Sequence, residues 1–258
     1  MRIFILLISI FTIFSQTIQA QHHETKPAMV FASGNLKFVF PKLIEDFYIK
    51  YPNSRVLVQY DSSGDLTNSI LSGVHYDLFF SANEKYPQQI YRANKSITKP
   101  KIYTRGSLIL LVPTKSNLKE KGIKILKNRD LKAIVIANAA RAPYGQASIE
   151  ALKNMNYYNI VKDKIHYSTD VSTAVDSVIW YDEVGFLSKS ALSTLPLAYN
   201  KEGVNWINID QKYYSPLNQA FVVSKDGLKN SSAIKFSNYI LSDEGQNIFK
   251  FFGYYKID

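Results

Sequence analysis

The residues with the most chemical promise stand between Gln59 and Leu66, in the run Gln-Tyr-Asp-Ser-Ser-Gly-Asp-Leu. Two hydroxyls and a glycine follow a short apolar strand, Val56 to Tyr60, and open a helix that runs to Leu71. A helix start presents backbone N–H groups without intrahelical partners, at the positive end of the helix dipole. With Ser62 and Ser63 beside them, those groups can cradle an oxyanion. Read alone, the motif is an ordinary cap and turn.

Catalytic chemistry is signalled nowhere else. The chain has no Gly-x-Ser-x-Gly, no phosphate-binding Gly-rich loop, no Gly-x-Gly-x-x-Gly and no His-Glu-x-x-His. Its histidines, at 22, 23, 75 and 166, have no spacing that suggests a shared metal site. Asp61, Asp65 and Asp170 read as caps or turn residues rather than as acids for proton transfer. A periplasmic hydrolase stays as the enzyme alternative, with no motif behind it.

Stepping outward, strands alternate with helices. Met29 to Ala32 is a strand, Ser33-Gly34-Asn35 a polar turn, and Leu36, Val39, Phe40, Leu43, Ile44 and Phe47 recur at helical spacing. The strand 76–82 precedes a helix over 84–93, and residues 94–106, with Pro100, read as a polar crossover. Further strands are expected at 108–112, 133–136, 165–167, 184–187 and 204–209. Helices are expected over 146–155 and 172–180, with a lysine-rich surface helix and loops within 116–130. The strand 217–223 and two helices, 231–241 and 243–251, close the chain, the last capped by Ser242-Asp243-Glu244. Such alternation predicts an α/β fold with mainly parallel sheets, whose ligands bind beyond the C-terminal strand ends.

The chain has 258 residues, a net charge of +10 and no cysteine. Its lysines are scattered, and no basic cluster interleaved with aromatics suggests nucleic acid. Met1-Arg2, an apolar stretch from Ile3 to Phe14 and the triplet ending at Ala20 read as a secretory signal peptide over residues 1–20. The apolar stretch is too short to span a bilayer. An exported, cysteine-free chain fits a bacterial periplasm.

Four stretches then carry a resemblance. They are Val30 to Leu36, Tyr60 to Leu66, Ala137 to Gly145, and Asp170-Val171 with Gly185-Phe186-Leu187 downstream. Their order and spacing resemble the periplasmic molybdate-binding proteins of bacterial ABC importers, a type II solute-binding protein family. The strand 76–82 and the tail from Leu241 to Phe249 match habits of several binding-protein subfamilies.

The resemblance implies a two-lobed fold with the ligand in the inter-lobe cleft. Lobe 1 is expected from 28–106 plus 216–258, and lobe 2 from 107–215. It implies a monomer that captures molybdate, with tungstate, and delivers it to a membrane permease dimer. No cofactor is implied, and the metal arrives only inside the oxyanion. It further implies that Asn35, Ser63, Tyr144 and Val171 contact the anion, Ser63 by hydroxyl and N–H, and Tyr144 and Val171 by N–H. At a fifth position the family often has a tyrosine whose hydroxyl reaches the anion. Here Ser188 stands there, a shorter side chain, and Tyr144 is the alternative hydroxyl donor. Each residue keeps a simpler reading: a cap for Asn35 and Ser63, a turn aromatic for Tyr144, helix-start packing for Val171. Arg141 either steers anions at the cleft mouth or is a solvated surface residue. Sulfate, phosphate or a small organic anion is the alternative ligand. A regulatory effector-binding pair of lobes would need a DNA-binding helix-turn-helix where this chain has its leader.

Overall fold

The computed structural model describes residues 26–113, 121–181 and 183–256. The leader read at residues 1–20 and positions 114–120 of the lysine-rich segment lie outside the described residues.

Two five-stranded sheets organise the chain. The first has the order β2-β1-β3-β10-β4, formed by β1 (Ala28–Ser33), β2 (Val56–Asp61), β3 (Leu78–Ser81), β4 (Lys101–Gly106) and β10 (Leu217–Val223). The second has the order β7-β6-β8-β5-β9, formed by β5 (Leu108–Leu111), β6 (Ile134–Ala137), β7 (Ile165–Ser168), β8 (Val184–Ser188) and β9 (Trp206–Asn208). In each sheet four strands run in one direction and one, β10 or β5, runs antiparallel to both its neighbours. The parallel strands are joined through helices, as right-handed crossovers require. The result is a two-lobed α/β binding-protein fold.

The helices follow the apolar spacing. They are α1 (Phe40–Lys50), α2 (Ser63–Leu71), α3 (Lys85–Arg92), α4 (Pro143–Asn154), α5 (Val171–Tyr181), α6 (Ser231–Leu241) and α7 (Asp243–Phe251). Pro41 and Pro143 sit in first turns, where a missing N–H costs nothing. Phe40 and Phe47 of α1 meet Phe236 of α6 edge-on, at centroid distances of 5.6 and 5.1 Å, over Phe80 of β3. This aromatic packing joins sequence-distant helices on one face of the first sheet.

Two expectations change. Residues 101–106, read as part of a polar crossover, form β4 at the sheet edge. Polar Lys101, Thr104 and Arg105 broke its apolar pattern, yet Thr104 is fully buried because its hydroxyl donates to the Tyr255 carbonyl at 2.9 Å. The helix expected from 146 begins at Pro143, so Tyr144 lies in a first helical turn rather than in a loop.

The lobes meet where β4 gives way to β5 through Ser107, and where the chain returns from Tyr214 to Leu217. Leu217 pairs with Gly106, so both crossing segments lie side by side. The Tyr214 hydroxyl accepts from the Leu108 N–H at 3.0 Å. The C-terminal segment joins them, with Tyr255 bridged to Arg105.

Buried Asn230 anchors the last helices to the first sheet. Its Oδ1 accepts from the N–H groups of Ser232 and Ala233, capping α6. Its Nδ2 donates to the Pro27 carbonyl and to Asp77 Oδ2, both at 3.1 Å, while Asp77 itself is fully buried. Asn230→Ala removes the cap and one partner of a buried carboxylate, so a loss of about 2 kcal/mol is expected. Chemical denaturation measures it, and an unchanged midpoint would contradict the assignment.

Candidate functional site

The strand–turn–helix units of both sheets aim their helix starts at one small cavity between the lobes. It offers about 200 Å³ of empty space, part of it open to solvent. Lobe 1 contributes Ser33, Gly34 and Asn35 from the end of β1, Ser62 and Ser63 from the end of β2, and Ala82 after β3. The second lobe contributes Ala142, Pro143 and Tyr144, with Asp170 and Val171 at the start of α5. No lysine, arginine or histidine is among these residues.

Capping hydrogen bonds decide which donors remain. Ser62 is the N-cap of α2, accepting from the Asp65 N–H at 3.1 Å and donating to Asp65 Oδ2 at 2.6 Å. The Leu66 N–H goes to the Ser62 carbonyl, and the Gly64 N–H crosses to the Arg141 carbonyl at 2.9 Å. Of the first-turn N–H groups, that leaves Ser63's for the cavity. The Ser63 Oγ accepts from the Ala82 N–H at 3.1 Å, so its proton is left to donate.

The same logic holds at α5. Asp170 Oδ1 accepts from the Ser172 N–H, the Ser172 hydroxyl and the Thr173 N–H, at 2.6, 2.7 and 3.0 Å. The Ala174 N–H reaches the Asp170 carbonyl. The Val171 N–H is the one left over, and three donors offset the Asp170 charge beside the cavity. At α4, Pro143 has no N–H and the Gln146 N–H bonds the Ala142 carbonyl, which leaves the first-turn amides of Tyr144 and Gly145. Ser63, Val171, Asn35 and Tyr144 are all buried.

Acid groups ring the mouth. Asp61 is pushed above the usual carboxylate range, chiefly by burial and further by Asp65 and Asp170. The Ser62 N–H and Arg141 oppose that rise. Arg141 itself binds Asp65 Oδ1 at 2.8 Å across the cleft. Among the described residues no group of three His, Cys, Asp or Glu is placed to hold a metal ion directly.

Comparison with known proteins sets this cavity in a family. The family model for the bacterial extracellular solute-binding proteins matches residues 28–255. The chain belongs to that family.

Among its relatives is the molybdate-binding protein ModA of Rhodobacter capsulatus, 25% identical over 228 residues and 87% of each chain. ModA of Haemophilus influenzae is 28% identical over 155 residues, 57% of this chain and 59% of that one. The solved periplasmic molybdate-binding protein of Azotobacter vinelandii superposes with a TM-score of 0.80 at 23% identity, covering 90% of this chain and all of its own. The sulfate-binding protein SubI of Mycobacterium tuberculosis gives 0.73 at 14% identity, covering 90% and 88%. At such identities the two solved structures speak for the fold alone.

In this solute-binding protein Asn35, Ser63, Tyr144 and Val171 converge on the cavity, and Ser188 does not line it. The Ser188 side chain is buried, and its Oγ lies 2.9 Å from Ser190 Oγ. A serine is too short to do more than meet that neighbour. The Tyr144 hydroxyl is held by Gln219, accepting from its Nε2 at 3.2 Å. The Asn35 side chain does not cap a helix. Its Nδ2 donates to Gln219 Oε1 and to the Tyr254 hydroxyl, at 3.0 and 2.9 Å, and its Oδ1 accepts from Ser33 at 2.7 Å. Asn35 and Tyr144 can therefore offer the cavity their backbone N–H groups.

Sequence reasoning gave no role to Ser33 or Gln219. Ser33 stands in the polar turn after β1, and Gln219 is a polar residue in the apolar run of β10, which was the available signal. Arg141, read as either steering or solvated, spans the lobes.

Glycine permits the closest approach. A Cβ on Gly64 would lie 2.9 Å from Arg141 Cα, Cβ and carbonyl O, and one on Gly34 2.8 Å from Asp170 Cγ. Gly64→Ala is expected to hold the lobes apart and raise the radius of gyration in small-angle scattering. Arg141→Ala removes a half-exposed ion pair worth at most about 1 kcal/mol, so its effect is expected to be smaller. The opposite ranking would contradict this account of closure.

Proposed function

We propose that this chain captures molybdate, and tungstate with it, outside the cytoplasm and delivers it to the permease of an ABC importer. The observation that carries the reading is a buried inter-lobe cavity supplied with N–H groups and one spare hydroxyl proton but no cationic side chain. A fully ionised oxyanion accepts hydrogen bonds and donates none, so a donor-rich site favours it over protonated ligands. The tight packing of small residues around the cavity argues against larger organic solutes. The relatives named for molybdate add the ligand's identity to that chemistry.

The energetics suffice. Hydrogen bonds to a charged group contribute about 1.5–3 kcal/mol each. Four amides and the Ser63 hydroxyl together cover the roughly 8 kcal/mol of a micromolar complex after ordering costs. Molybdenum enters as the centre of the anion, with no protein ligand to the metal and no cofactor. The leader read over residues 1–20 and the family's extracytoplasmic role support a periplasmic location, from which the chain acts as a monomer that docks on a permease dimer. Closing of the lobes is the state the permease reads.

Calorimetric titration of the mature, ligand-stripped chain tests the reading. One-to-one binding of molybdate and tungstate is expected, with sulfate and phosphate weaker. Ser63→Ala is expected to lower molybdate affinity about 10- to 100-fold, since it removes one charge-assisted hydrogen bond. Preference for sulfate or phosphate would overturn the ligand, and binding of no oxyanion would overturn the site.

A further inference from the structure

One buried polar cluster is not accounted for by anion binding. It centres on Gln219 of β10, which is fully buried. The pairing of β10 with β4 shifts register between Gln219 and Ala220. Such an irregularity re-aims a side chain, and it does so next to functional sites. The Gln219 amide is turned toward the second lobe and uses both its ends. Oε1 accepts from Asn35 Nδ2 at 3.0 Å and from the Tyr103 hydroxyl at 2.9 Å, and Nε2 donates to the Tyr144 hydroxyl at 3.2 Å.

Asn35 and Tyr144 come from different lobes, and both line the anion cavity. Gln219 therefore bonds directly to a cavity residue of each lobe while sitting two positions from Leu217, where the chain re-enters lobe 1. A second thread runs beside it. The Tyr254 hydroxyl, which accepts from Asn35 Nδ2, lies 3.0 Å from Ser190 Oγ, and Ser190 Oγ donates to the Asn35 carbonyl at 3.3 Å. Gly106 keeps the space open, since a side chain there would overlap the Tyr144 hydroxyl and crowd Gln219 Nε2. Burial, the leading cause, raises the pKa of Tyr103, Tyr144 and Tyr254, so their phenols stay neutral.

We infer that Gln219 is a positioning residue. It clasps the closed lobes together and holds Asn35, in the short 3-10 turn Gly34–Phe38, and the Tyr144 helix start in register for the anion. The clasp is intramolecular and needs no ligand to form, so it sets the balance between open and closed lobes before binding. It then slows release afterwards. A buried amide suits this task because it can bond on both sides at once without bringing a charge next to an anion. The part concerning the anion rests on the oxyanion reading above, whereas the part concerning the lobes does not.

A double-mutant cycle tests it with Gln219→Leu, Tyr144→Phe and the pair. Tyr144→Phe keeps the ring and the backbone N–H and removes only the clasped hydroxyl. The chain has no cysteine, so spin labels can be placed on Cys substituted at exposed Ile97 of lobe 1 and Leu197 of lobe 2. In the ligand-free chain each single variant is expected to shift the label-to-label distances toward the longer, open population. For molybdate, each is expected to raise Kd about 10-fold through faster dissociation, with the double variant no worse than either single one. Unchanged distances and dissociation rates would overturn the clasp. Additive losses would too, for they would mean that the Tyr144 hydroxyl acts on the anion independently of Gln219. Should Gln219→Leu fail to fold, Tyr144→Phe alone decides by the same two readouts. Should the parent chain bind no oxyanion, the functional reading fails while the label distances still decide the clasp.

Discussion

The hydrogen bond from the Gly64 N–H to the Arg141 carbonyl joins the two lobes backbone to backbone, and the cavity depends on that approach. Neither lobe surrounds the cavity alone. Ser63 and Asn35 face it from one side, Tyr144 and Val171 from the other. Gly64 lets the backbones of opposite lobes come close, and Gly34 leaves room for the Asp170 side chain, so that both lobes share one small volume. In an open cleft, the same amides would point at water, which satisfies them at little cost. Closure removes that water and leaves the donors dependent on whatever anion they enclose.

Capping is the local rule that makes this selective. At α2 and α5 most of the first-turn donors are already taken, whereas α4 has no side-chain cap. Ser62 and Asp65 form the cap of α2, and Asp170 that of α5. The remaining amide is left over by the geometry of a helix end rather than by a special residue. For that reason valine can stand at a candidate binding position, since its side chain packs and its N–H is left facing the cavity. Of the nearby acids, Asp170 has one carboxylate oxygen held by three donors and Asp65 is paired with Arg141, which lowers their cost to an anion in the cavity.

Much of this was legible in the residues. The alternation of apolar strands and helical spacing marked nearly every element, because propensity and burial agree in the parallel core. The last two helices fall at Ser231–Leu241 and Asp243–Phe251, where spacing and the Ser242 cap put them. The edge strand β4 was not legible, since Thr104 and Arg105 are satisfied by the tail and by Asn218, partners far away in sequence. At the site, polar turns were visible as candidates, and the structure brings Asn35, Ser63, Tyr144 and Val171 to one cavity. What each side chain does was not visible. The Asn35 amide turns away to Gln219 and Tyr254, and Ser188 pairs with Ser190, because both depend on long-range contacts that no local pattern encodes.

The central claim is that a cavity between the lobes, supplied with N–H and hydroxyl donors and no cationic side chain, holds an oxyanion with no direct protein ligand to its metal. A crystal structure of the mature chain with molybdate, phased on the anomalous signal of molybdenum, tests it most directly. The account predicts one strong anomalous peak between the lobes, with its oxygens in hydrogen-bond reach of the Ser63 hydroxyl and of the amides of Asn35, Ser63, Tyr144 and Val171. A peak elsewhere, or one bonded directly to a side-chain oxygen or nitrogen, would contradict it.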